Sequence, residues 1–157
     1  MGGCEKEGEA MKPLLWIGTL SIIGLALSGY LAYVHYVPET LDSSFCNLSD
    51  FVSCSTVNSS SYATFFGIPV AVFGVAGFLL LAFLSVGTIK YHRIWLFYLS
   101  LGALLFMFYL LIIELFVLKT ICLYCIFTLV DVIALFAIAA VSWGRESVQF
   151  VKAIKVE

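Results

Sequence analysis

Charge is what this chain has least of: its 157 residues include 8 Lys and Arg and 10 Asp and Glu. Such scarcity excludes a surface built for water, where about a quarter of residues are normally charged. A net charge of −2 leaves nothing to attract a nucleic acid. From Pro38 to Gly67 there is no Lys or Arg. The first apolar run, Leu14–Val37, is followed by no clear small-residue cleavage pattern. It also exceeds the roughly 7–15 residues of a signal-peptide core, so it reads as a retained helix. The start Met1-Gly2-Gly3-Cys4 lacks the Ser or Thr of a myristoylation signal, Lys6 standing in its place. Cys4 therefore reads as a bystander in a polar tail without expected structure.

Hydrophobic residues fill the space that charge leaves, at 62% of the chain, with a mean hydropathy of +1.09. Leu14–Val37, Ile68–Ile89, Ile94–Leu118 and Ile121–Trp143 each exceed the roughly 20 residues that cross about 30 Å of hydrocarbon. The expected fold is an all-α integral membrane protein: a four-transmembrane-helix bundle with a partly helical outer loop. The expected organisation is a cytoplasmic tail over 1–13, a transmembrane domain over 14–143 with its loop at 38–67, and a second cytoplasmic tail over 144–157. Lys6, Lys12, Lys90, Arg93, Arg145, Lys152 and Lys155 would share one side, with Lys119 alone on the other. The excess of Lys and Arg on cytoplasmic faces then places both termini inside the cell membrane and the 38–67 loop outside.

The outward side carries the chemistry. Cys46 and Cys54 lie in the loop, and Cys122-Leu123-Tyr124-Cys125 heads the last span. Disulfides persist at an extracytoplasmic face. A Cys46–Cys54 bridge alone would read as a staple on a small loop. A bridge between Cys122 and Cys125 restricts the unfolded chain little, so stapling explains that pair poorly. At i and i+3 in a first helical turn the two share a face, and the unpaired N–H groups there favour a thiolate. Two pairs at one face suit electron movement by disulfide exchange. A zinc site with four cysteine ligands, Cys46, Cys54, Cys122 and Cys125, is the other reading, against which stand the wide Cys46–Cys54 spacing and the oxidising side.

Ser43 or Ser44 and Asp50 are plausible caps for short turns in the loop. The loop's aromatic residues suit a lid on the membrane surface. Gly67 allows a sharp entry into the second span and Pro69 suits its first turn. Gly24 and Ser28 in the first span, with Gly74 and Gly77 in the second, permit close helix approach. Two acids fall within spans, where such residues usually face the bundle interior and mark proton or ligand paths: Glu114, for which the alternative is the interface beside Lys119, and Asp131, expected in a hydrogen bond between helices rather than in a direct catalytic role.

Cys46, the segment Ser53-Cys54-Ser55-Thr56-Val57-Asn58-Ser59-Ser60, then Phe66-Gly67-Ile68-Pro69-Val70 and Cys122-Leu123-Tyr124-Cys125 together resemble the vitamin K epoxide reductase family, closest to its bacterial and archaeal members. The resemblance runs from the first span to the fourth. It implies a four-helix bundle around a quinone of the ubiquinone, menaquinone or vitamin K type. Cys46 and Cys54 would relay electrons to Cys122, with Cys125 beside the quinone and Ser60, Tyr62 and Phe66 near the quinone pocket. Where vertebrate members carry an asparagine and a tyrosine that contact the substrate, this chain has Ala63 and Leu129, so quinone rather than epoxide reduction is implied. Many bacterial members fuse a thioredoxin-like domain. The chain ends at Glu157, so the expected thiol partner is a separate thioredoxin-like protein on the outer face. The rival from another class is a non-enzymatic four-span scaffold with a stapled loop; a thiolate metal transporter would need more polar residues within its spans.

Overall fold

The computed structural model describes residues 3–37, 52–86 and 92–154, with side chains placed for 13–37, 52–86 and 92–144. Four long helices dominate: α1 (Gly3–Tyr36), α3 (Val70–Ser85), α4 (His92–Ile112) and α5 (Leu123–Ile154). Helix α2 (Cys54–Asn58) is one short turn ahead of α3. The tail expected without structure is helical from Gly3, and α5 runs on past the last apolar residues to Ile154.

Among the described residues, three segments are long and apolar enough to cross a membrane: Pro13–Tyr36, His92–Leu118 and Leu123–Gly144. The second expected span is shorter, because Ile68 and Pro69 belong to a hairpin and the helix begins only at Val70. Its 16 residues rise about 24 Å. The helices close a ring in which α1 packs on α3, α3 on α4, α4 on α5 and α5 back on α1. Their outward faces are apolar: Leu105, Phe116 and Phe127 all point away from the bundle. A lipid solvent demands that pattern, with backbone hydrogen bonds satisfied inside each helix. This is a helical membrane protein.

Small residues set the approach of α1 and α3. A Cβ on Gly24 would overlap the Phe78 ring, and one on Gly74 would stand 2.9 Å from the Ser28 hydroxyl. Gly77 works differently: nothing lies within 4 Å of its would-be Cβ. It and Gly102 face an internal cavity. Two apolar clusters bracket that cavity. One joins Ile17 of α1, Leu84 of α3, Leu96 of α4 and Leu135 of α5. The other gathers Leu31 and Val34 of α1 around Cys54 and Cys122.

The segment from Val52 to Pro69 folds over the second cluster. Ser53 caps α2, its hydroxyl accepting the Thr56 N–H at 3.3 Å. The caps expected at Ser43, Ser44 and Asp50 lie outside the described residues. After a 3-10 turn at Ser61–Ala63 come β1 (Thr64–Phe65) and β2 (Ile68–Pro69), paired antiparallel. Phe66 and Gly67 form the two-residue turn, with φ of 53° and 78°. Positive φ at both centres is what a type I′ hairpin requires. The sharp bend expected at Gly67 is thus a hairpin tip ahead of α3. Pro69 sits at the N-cap of α3, where its missing N–H costs nothing.

Candidate functional site

Val52 and Ile121 pair in a parallel bridge, which brings the residues before Cys54 and Cys122 side by side. Cys54 opens α2, and Cys122 immediately precedes α5, its carbonyl accepting the first helical N–H from Ile126 at 3.1 Å. The two sulfurs stand 3.2 Å apart, and both residues are buried. A disulfide spans about 2.05 Å, so a shift of only about 1.2 Å separates contact from a bond. Cys54 is itself disulfide-bonded, whereas Cys122 and Cys125 are free thiols. Cys46, its expected partner, lies outside the described residues.

The Cys122 thiol occupies the place of a helix-capping side chain. Its pKa is lowered chiefly by a hydrogen bond from the Cys125 thiol, aided by the backbone N–H groups of Tyr124 and Cys125 and opposed by burial. Stabilising the thiolate in this way makes Cys122 the more readily ionised thiol of its pair. Tyr124 packs against Tyr30 of α1 with ring centroids 5.2 Å apart, bracing the turn from the other side.

Glu114 comes to the same point from α4. The last turn of that segment, Ile113–Leu118, is a π-helix, closed by Lys119 in the left-handed conformation at φ 52°. Widened turns of this kind often mark functional sites. This one turns Glu114 into the bundle, where it is 3% exposed: of the two expected placements, it takes the interior and not the interface. Its Oε2 accepts the Cys122 backbone N–H at 3.2 Å. Asp131, also expected to find a partner between helices, is buried, but its Oδ2 has no hydrogen bond.

Beneath the sulfurs lies a cavity of about 330 Å³, within the range of small-molecule sites. Cys122, Cys125 and Glu114 line one end. Walls from α3 and α4 are apolar, including Phe73, Phe106 and Met107. Polar groups come from α2 and the turn after it, Asn58, Ser60 and Tyr62, with Ser28 of α1 and Thr128 of α5. An apolar slot with a few polar groups and a thiol at one end fits a quinone ring, which needs flat apolar walls and donors at its carbonyls.

The sequence-derived pocket residues do not all behave alike. Ser60 lines the cavity, but its hydroxyl hydrogen goes to the Val57 carbonyl at 2.8 Å, so this residue caps a turn and offers only a lone pair. Tyr62 lines it at the rim, half exposed. Phe66 does not line it: at the hairpin tip it is 91% exposed, its ring edge-on to Phe65 with centroids 4.7 Å apart. The type I′ turn that Phe66 helps to form aims its side chain outward. Ala63 lines the cavity without offering a donor, whereas Leu129 packs in the protein interior away from it. The lining role of Asn58, Gly77 and Gly102 escaped the sequence reading; the absence of a side chain at two helix positions facing inward was the available signal.

No curated protein matches this chain. Residues 15–140 match the model of the Vitamin K epoxide reductase family, covering both cysteine-bearing segments and the helices around the cavity. The chain therefore belongs to that family of membrane redox proteins acting in thiol–disulfide chemistry.

Proposed function

We propose that the protein oxidises a thiol partner at the outer membrane face and passes the electrons through its two cysteine pairs to a quinone. The observation that carries this reading is the buried 3.2 Å contact between Cys54 and Cys122. It joins a segment that solvent can reach to the head of a helix that borders an apolar cavity. A reduced thioredoxin-like protein is the proposed donor. Its thiolate opens the Cys46–Cys54 bridge, and the freed Cys54 attacks Cys122 in a Cys122–Cys125 disulfide. Cys125 is the leaving sulfur. Closure of the loop bridge returns Cys54 to a disulfide and leaves two thiols at Cys122 and Cys125. A closed Cys54 bridge beside free Cys122 and Cys125 matches the end of that relay, with two electrons held next to the cavity.

A bound quinone supplies a two-electron, two-proton acceptor. Cys125 faces it from the cavity wall, Tyr62 and Asn58 offer donors to its oxygens, and the apolar walls exclude water from the reacting sulfurs. The product is a disulfide ready for another cycle, which in the cell supports disulfide formation in exported proteins. Quinone, rather than an epoxide, is the proposed substrate, since Ala63 brings no hydrogen-bonding side chain to the wall.

In this reading α3 is a fourth span, shortened because the hairpin at its head and the packing of Gly24 against Phe78 draw it into the bundle. Both termini and the turn between α3 and α4 are then cytoplasmic, following the Lys and Arg distribution. The test is turnover of purified protein with a dithiol and a short-chain quinone, alongside disulfide mapping. Native protein should consume quinone and cycle both bridges, and Cys125→Ala should lose turnover. Quinone consumption that survives in Cys125→Ala would remove the cavity-facing cysteine from the route.

A further inference from the structure

Of the described side chains lining the cavity, Glu114 is the only carboxylate, and no His, Lys or Arg joins it. Oxidising two thiols releases two protons as well as two electrons. In a largely apolar chamber those protons need a carrier, since thiols are poor bases. Glu114 is buried, lines the same chamber as both sulfurs and accepts the Cys122 N–H at 3.2 Å. A positioning role accounts for that bond. It does not account for a carboxylate lining the quinone-facing chamber together with the Cys125 thiol that must lose its proton.

We propose that Glu114 is the proton carrier of the quinone-facing half-reaction, taking the proton of the Cys125 thiol and delivering it to a quinone oxygen. This rests on the relay described above. In the step, the Cys122 and Cys125 S–H bonds break and one S–S bond forms. The electron pair passes to the quinone. Its two oxygens receive the Cys125 proton by way of Glu114 and the Cys122 proton, giving the hydroquinone. Glu114 ends as it began, ionised, and no further reactant enters. The π-turn at Ile113–Leu118 places this carboxylate opposite the thiols, and the Cys122 N–H holds it there.

Glu114→Gln separates the two roles, because an amide oxygen still accepts the Cys122 N–H but cannot carry a proton. With full-length protein in detergent and a short-chain quinone, E114Q should reduce quinone roughly 100-fold more slowly, the scale of general acid–base catalysis. Exchange between Cys54 and Cys122, followed without quinone on non-reducing gels, should stay within about twofold of native if Glu114 carries protons only in the later step. Quinone reduction by E114Q within about threefold of native would overturn the assignment, since no proton carrier is worth so little. A native protein that exchanges thiols but never reduces quinone would instead sink the relay reading, and this proposal with it. Should E114Q not fold, infrared difference spectra of native protein with carboxyl-labelled glutamate decide. Glu114 is the only glutamate in the apolar stretches. A label-sensitive carboxyl band should change as quinone oxidises the thiols, and its absence would overturn the proposal.

Discussion

The backbone N–H of Ser53 donates to the carbonyl of Ile121 over 3.2 Å, pinning the residue before Cys54 to the residue before Cys122. Two segments 68 positions apart in sequence thus share one hydrogen bond and one sulfur contact. Backbone pairing does not depend on redox state, so it holds the sulfurs in register while bonds between them are made and broken. It also selects which loop cysteine meets Cys122.

Trapping follows from that register. Cys125→Ala leaves Cys122 without its own partner sulfur, so a Cys54–Cys122 bridge can be resolved only from the loop side, by Cys46. Non-reducing gels and peptide mass spectrometry should find the mixed disulfide as the main species after mild oxidation. A Cys46–Cys122 bridge in its place would mean that the pinned register is not the working one.

Cavity volume is open to a filling experiment. Gly77 has free space around its would-be Cβ, so Gly77→Leu should fold with stability within about 1 kcal/mol of native. It should raise the KM for quinone at least tenfold while leaving exchange between the cysteine pairs intact. Gly24→Ala makes the contrast: its Cβ meets the Phe78 ring, and overpacking there should cost about 1–3 kcal/mol, read by chemical unfolding in detergent.

Phe66 and Tyr62 should part company in kinetics. Phe66→Asn keeps the positive φ that the hairpin needs and removes an outward ring, so quinone KM should change by less than about twofold. Tyr62→Phe removes a hydroxyl from the cavity rim and should raise KM by roughly fivefold, about 1 kcal/mol for one hydrogen bond. A large effect at Phe66 with none at Tyr62 would show that the hairpin tip folds inward during turnover.

The pH dependence of Cys122 has a definite sign. With its pKa lowered by the Cys125 thiol and the adjacent N–H groups, its thiolate forms below the ordinary thiol midpoint of about 8.5. In reduced protein its alkylation rate should rise with pH and level off with a midpoint under that value. Cys125→Ala removes the largest stabilising contact, and the midpoint should move up. An unchanged midpoint would assign the lowering to the backbone groups alone.

Much of this molecule was legible from the order of its residues. Apolar runs longer than a bilayer thickness fix helices, because lipid leaves the backbone no other partner. The Cys122–Cys125 spacing places both thiols at a helix start. The close approach at Gly24 and Gly74 was readable for a similarly local reason: a missing side chain admits a neighbour wherever the helix packs. What folding in three dimensions decided depends on contacts between distant segments. A π-turn rotates Glu114 off the face that a regular helix would give it and onto the cysteines, a change no 3.6-residue periodicity contains. A two-residue hairpin turn sends Phe66 outward although its sequence neighbours line the cavity. Cys54 meets Cys122 only because Val52 and Ser53 pair with Ile121, a register set by packing between two segments and not by the composition of either.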